Sequence, residues 1–154
     1  MDEQQILTLF HKYSNMVYRL AYSYLGSPQD AEDLVQTVFL KIIDGKALPK
    51  PGSERAFLIR IAVNCCKDQL RSVWRSRIVP IDDDIPFQHP EDRELFQAVM
   101  ELPQKYRVVI YLHYYEGYTF PEIADFLKIS PSGVSMRMHR ARKLLKKQLR
   151  REGL

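Results

Sequence analysis

Helical periodicity stops across "RSRIVPIDDDIPFQHP", residues 75–90, and that break limits what the chain can fold into. Three prolines there fix φ and remove backbone donors, and three consecutive aspartates repel one another, so no packed element crosses the stretch. Apolar residues must be buried separately on either side of a flexible linker. With 154 residues and 45% hydrophobic content, the chain has enough for two small cores.

None of the segments flanking the break alternates as a strand would. The spacing predicts a helix over 2–25, with Ile6, Phe10, Val17, Ala21 and Tyr24 along one side and Gly26 just past its end. Ser27 as N-cap, Pro28 at N1 and Asp30 at N3 open the next helix, in which Ala31, Leu34, Val35, Val38 and Ile42 repeat to residue 44. A third helix is expected over 53–75, with Phe57, Ile61, Cys65 and Leu70 inward. Beyond the break come a short helix over 92–101, one after Pro103 through "QKYRVVIYLHYYEG", a short one at "FPEIADFL" and a long basic one. The fold expected is all-α, with two small helical domains, 1–75 and 91–154, joined by the linker 76–90.

The C-terminal half has the layout of a helix-turn-helix. In "TFPEIADFLKISPSGV", Thr119 and Glu122 form a T-x-x-E capping box, Ile123 and Leu127 supply a buried side, and Ala124 is small where a second helix must come close. The turn is Lys128-Ile129-Ser130, after which Ser130 caps and Pro131 opens the last helix. Lys128 stands where a glycine would ease a positive φ.

That last helix repeats Val134, Met138, Ala141, Leu145 and Leu149 on one face. Between Arg137 and Arg151 it carries eight basic residues and no acid. With +8 there against +4 for the whole chain, the remainder is net −4, so the basicity is local. A single-sign run repels itself unless a polyanion is present, and a second helix after a tight turn suits the DNA major groove. A basic helix lying on an anionic membrane is disfavoured, because its apolar face is needed against Ile123 and Leu127.

Two other surfaces stand out. In "SPQDAEDLVQTVFLKII", Asp33, Gln36, Thr37 and Lys41 lie opposite the apolar stripe with Leu40 beside them, and pattern alone does not separate them from an ordinary solvated face. In "FLIRIAVNCCKDQLRSVWRSR", Arg60, Asn64, Lys67 and Arg71 form a polar and basic ridge, followed by Trp74, Arg75 and Arg77. Such a ridge suits a nucleic-acid backbone and unstacked bases, and equally suits a surface ridge over core aromatics.

Several functions find no support. There is no run of about 18 apolar residues, and "MDEQQILTLF" lacks a basic n-region, so a cytoplasmic protein without membrane insertion is expected. The cysteines, Cys65 and Cys66, are adjacent and read as small core residues. No CxxC, P-loop, GxGxxG, GxSxG or HExxH occurs, and the histidines lie apart at 11, 89, 113 and 139, so no catalytic residue, metal or cofactor is expected.

The blocks "VYRLAYSYLGSPQDAEDLVQTVFLKI", "FLIRIAVNCCKDQLRS", "LPQKYRVVIYLHYYEGYTFPEIADFLKIS" and "SGVSMRMHRARKLLKK" together resemble extracytoplasmic-function sigma factors, in order and spacing, over nearly the whole chain. The resemblance implies a bacterial promoter-recognition subunit of RNA polymerase. Residues 1–75 would be sigma region 2, engaging core polymerase and the minus-ten element, and 91–154 region 4, reading the minus-thirty-five element. By resemblance, core polymerase falls to Asp33, Gln36, Thr37 and Leu40, and minus-ten DNA to Arg60, Asn64, Lys67 and Arg71, with the loop 45–52 forming part of a flipped-base pocket. Minus-thirty-five DNA falls to Ser132, Ser135, Met136, Arg137, His139, Arg140 and Lys143. Of these, Ser135, Met136, His139 and Arg140 match groove-facing positions, while Arg137, Lys143 and the neighbouring Arg142 would hold phosphates or the domain's own surface. Thr37 departs from the acidic residue usual in the family, and Phe57 from the usual tryptophan. An anti-sigma factor is the further partner implied. The alternative is a helix-turn-helix repressor that binds duplex DNA alone, which would have no need of a polymerase-binding "DAEDLVQ" face.

Overall fold

The computed structural model describes residues 2–46, 48–72 and 90–151, and the chain divides into two compact units, Met1–Val79 and Pro80–Leu154. Among the described residues every regular element is helical. Of the expected linker only Pro90 is described, as the first residue of a helix, and Trp74, Arg75 and Arg77 also lie outside the described residues.

The first unit packs α1 (Glu3–Leu25), α2 (Pro28–Ile43) and α3 (Glu54–Ser72) against one another. Local chemistry sets the ends. Asp2 and Gln5 close a reciprocal capping box at 2.8 and 2.9 Å, satisfying two helical N–H groups. At the other end Gly26 adopts φ 77°, its N–H donates to the Tyr22 carbonyl at 2.8 Å, and Ser27 caps α2 at once. A two-residue corner therefore folds α2 back on α1, and Val17, Leu20, Leu34, Val38, Leu58 and Ala62 meet in a core shut off from solvent. Burial of each large apolar side chain there contributes about 1.5–3 kcal/mol.

Two parts of the expected core are different. In α1, Leu9 and Met16 are buried while Phe10 is exposed, its ring set edge-on to Phe39 at 5.0 Å. In α3, Leu58, Ile59, Ala62, Val63 and Cys66 form the buried side with Cys65, and Phe57, Ile61 and Leu70 are only half-buried. The helix is turned by about one residue, roughly 100°, from the expected phase. That turn sets the Arg60–Asn64–Arg71 edge squarely opposite the core.

The second unit contains α4 (Pro90–Met100), α5 (Gln104–Ile110), α6 (Phe120–Leu127) and α7 (Pro131–Arg151). Instead of ending, α5 widens into a π-helical turn, Tyr111–Tyr115, which places Tyr111 and Tyr115 in a 5.8 Å stack with Phe96 edge-on to both. Arg107 is buried, and its Nη1 donates to the Leu102 carbonyl at 3.2 Å near the end of α4. Against this base pack Ile123 and Leu127 of α6 and Val134, Met138 and Ala141 of α7, all buried; Leu145 and Leu149 are half-buried.

Lys128 closes α6 at φ 59°, and among the described residues it alone is a non-glycine with positive φ. Its Cβ strains against the backbone in that conformation. Lys128→Gly is expected to raise the stability of the second unit by about 1 kcal/mol. Denaturant unfolding of the full chain checks this, and an unchanged midpoint would show that the turn holds no such strain.

Candidate polymerase and DNA interfaces

On α2 the exposed side is mixed in character. Asp33, Gln36 and Thr37 are exposed, and Leu40 retains 55% of its surface. The Gln29 amide donates to Asp33 Oδ1 at 3.3 Å, and the Thr37 hydroxyl donates to the Asp33 carbonyl at 3.0 Å. Thr37 thus spends its donor on its own helix, as threonines in helices do. Ile43, absent from the expected site, is 58% exposed at i+3 from Leu40 and i+7 from Gln36. The signal for it was present: the stripe Ala31, Leu34, Val35, Val38 and Ile42 centres on Ile42, and Ile43 lies one position, about 100°, past it. The polar α2 face therefore carries two large apolar side chains open to solvent.

The α3 ridge lies opposite the buried Leu58, Ile59, Ala62 and Val63 rather than opposite Phe57 and Ile61. Arg60, Asn64 and Arg71 are exposed and Lys67 half-buried, a row about 16 Å long at helical rise. Arg71 pairs with Asp68 at 3.6 Å, with both side chains well exposed, an ion pair that water screens to little net worth. Beneath the ridge, burial pushes the Cys66 thiol well above the usual range and raises Cys65 too, the latter opposed by the nearby Lys41 ammonium and a hydrogen bond from it. Such thiols are poor nucleophiles, as small core residues should be.

In the second unit, α6 is fixed by a complete capping box. Glu122 accepts from the Thr119 N–H at 3.0 Å, and Thr119 Oγ1 accepts from the Glu122 N–H at 3.3 Å. Hydrogen bonds from Thr119, the backbone one foremost, hold the Glu122 carboxyl below the usual carboxylate range, so the box is charged at neutral pH. Ser130 then accepts from the Gly133 N–H at 3.0 Å and starts α7. This turn leaves Pro131 and Ser132 exposed while Val134, in the same first turn of α7, is buried.

Helical geometry places Ser132, Ser135, Met136, His139, Arg140 and Lys143 on one side of α7, and all six are exposed. Met136 keeps 55% of its surface. Lys146, Lys147 and Arg150 prolong the same side toward the C-terminus. Arg137, grouped with this set in the sequence, is half-buried on the flank. A 21-residue helix is about 31 Å long and a major groove about 12 Å wide, so a helix entering by its N-terminal end would place only its first turns deep in the groove. Among the described residues no three His, Cys, Asp or Glu side chains converge as metal ligands, and no helix is long and apolar enough to cross a membrane.

Residues 9–76 match the family model described as Sigma-70 region 2, and residues 92–145 the one described as Sigma-70, region 4. RNA polymerase sigma factor SigV of Bacillus subtilis is 30% identical over 156 residues, an alignment covering 97% of this chain and 93% of that protein. ECF RNA polymerase sigma factor SigE of Mycolicibacterium smegmatis is also 30% identical, over 92% of this chain and 60% of its own length. Among solved structures, the sigma factor RpoE from Bartonella quintana, determined in complex with the anti-sigma factor NepR, has the same fold, with a TM-score of 0.69 at 20% identity and 96% coverage of each chain.

Proposed function

From the chain's membership of the sigma-70 family of bacterial RNA polymerase sigma factors, in its extracytoplasmic-function group, we propose that its two units divide promoter recognition between them. The protein directs core polymerase to promoters and initiates transcription there. Sigma factors are non-catalytic initiation factors, and this chain is proposed to act by binding alone, without a cofactor.

Residues 1–75 act as region 2, 91–154 as region 4, and 76–90 as the tether between them. Asp33, Gln36, Thr37 and Leu40 on α2 meet core polymerase. Arg60, Asn64, Lys67 and Arg71 on α3 meet the minus-ten element, where flipping a base from the stack costs a few kcal/mol that its capture must offset. Ser132, Ser135, Met136, Arg137, His139, Arg140 and Lys143 on α7 meet the minus-thirty-five element. An anti-sigma factor is the regulatory partner, and the bacterial cytoplasm, where polymerase works, is the compartment.

The observation that carries this reading is the exposed side of α7, strongly basic and without an acid over its 21 residues. It supports a nucleic-acid partner, and the exposed leucine and isoleucine on α2 support a protein partner for the other unit. Run-off transcription with purified core polymerase on a genomic promoter library is the test. Discrete start sites that depend on the added chain are expected. Specific duplex binding by the chain alone, with no transcription gained on adding core enzyme, would overturn the reading in favour of a stand-alone repressor.

A further inference from the structure

The π-helical turn after α5 brings out one side chain that the proposed DNA-binding residues do not include. Tyr111 and Tyr115 stack inward while Tyr114, between them, is 55% exposed. Its ring stands edge-on to His113 at 4.9 Å, and His113 is itself fixed, its Nδ1–H donating to the Tyr118 carbonyl at 2.8 Å. Tyr114 is therefore held from below. Across the unit, Arg142 of α7 donates from Nε to the Tyr114 hydroxyl at 2.8 Å, with its guanidinium 5.6 Å from the ring centroid.

Two features of this pair suggest more than packing. An arginine has five N–H donors, and Nε supplies only one, so four on the terminal nitrogens remain, and among the described residues none accepts from them. Arg142 also lies on the edge of the exposed side of α7, with Ser135, His139 and Lys146 at i−7, i−3 and i+4. A helix whose Ser135 and His139 enter a groove carries that edge past the groove's phosphate wall. A planar fork with two free terminal nitrogens matches a phosphate in bidentate fashion. π-turns, rare in helices, concentrate at functional sites.

We propose that Tyr114 and Arg142 form a phosphate clamp, in which Tyr114 is a positioning residue that pre-orients the Arg142 guanidinium toward a DNA backbone phosphate beside the groove read by α7. Fixing the guanidinium before DNA arrives removes part of the side-chain entropy that a mobile arginine would lose on binding. This rests on α7 reading duplex DNA, and adds to that reading an anchor without base preference.

The test uses the full chain bound to core polymerase, with promoter and scrambled duplexes over a salt series. Arg142→Ala is expected to weaken both duplexes by about 10-fold and to lower the salt slope by about 1. Tyr114→Phe keeps the ring and removes the hydroxyl, so about a 5-fold weakening is expected, with the slope retained. In the Arg142→Ala background Tyr114→Phe is expected to do nothing further. Arg142→Lys keeps the charge without the Nε donor and is expected to retain the slope at reduced affinity. An unchanged slope in Arg142→Ala, with only a lower unfolding midpoint, would make the pair an internal latch and overturn the clamp. So would a Tyr114→Phe effect that persists without Arg142. A wild-type complex with no preference for promoter over scrambled duplex would instead remove the DNA reading of α7 itself.

Discussion

Replacing Leu40 and Ile43 together by alanine is expected to weaken binding to core polymerase by about 30-fold while leaving the first unit folded. The size follows from exposure. Burying a leucine or isoleucine fully contributes about 1.5–3 kcal/mol, and these two keep 55% and 58% of their surface free, so a partner covering them gains about 1 kcal/mol from each. Neither side chain supports the core, which α2 builds from Leu34, Val38 and Ile42. Asp33→Ala and Gln36→Ala should weaken the same complex by acting at its polar margin, with stability moving by under about 0.5 kcal/mol. Binding to purified core enzyme, measured beside thermal unfolding, separates the two effects. Full affinity in the Leu40/Ile43 double variant would return this side of α2 to solvent.

What the sequence made legible was whatever short-range chemistry decides. The Gly26-Ser27-Pro28 corner and the Thr119–Glu122 capping box are set by residues within four positions of one another, and both are present as their letters suggest. The positive φ at Lys128 is a further local matter, fixed by the tight turn between α6 and α7. The phase of α3 was not legible. "FLIRIAV" is apolar at six of seven positions, so its period does not say which side faces in, and packing against α1 and α2 chose Leu58, Ile59 and Ala62 over Phe57 and Ile61. Phe10 failed for a related reason, since Ile6, Leu7, Leu9 and Phe10 offer two overlapping stripes and tertiary packing selected Leu9. The Tyr114–Arg142 pair joins residues 28 apart and depends on a π-turn, and no spacing rule announces either.

The two ends of α7 should fail differently when altered. Ser135, Met136, His139 and Arg140 lie within the first three turns, on the exposed side that a groove about 12 Å wide can admit, where an arginine can meet a guanine edge with two hydrogen bonds. Arg140→Ala is therefore expected to cost about 5- to 150-fold in promoter affinity and much less on a scrambled duplex, because each bidentate base pairing is worth about 1–3 kcal/mol of discrimination. Lys146, Lys147 and Arg150 continue the same exposed side from about 9 to 15 Å further along the axis, beyond the reach of base edges for a helix inserted by its N-terminal end. Their replacement by alanine should weaken both duplexes alike and lower the salt slope by about 1 for each phosphate no longer neutralised. The full chain bound to core polymerase, titrated onto both duplexes over a salt series, provides both readouts at once. Equal weakening on the two duplexes for Arg140→Ala would move that residue to the backbone, and a change of sequence preference on replacing Lys146 or Lys147 would mean that α7 lies along the groove and reads bases over its whole length.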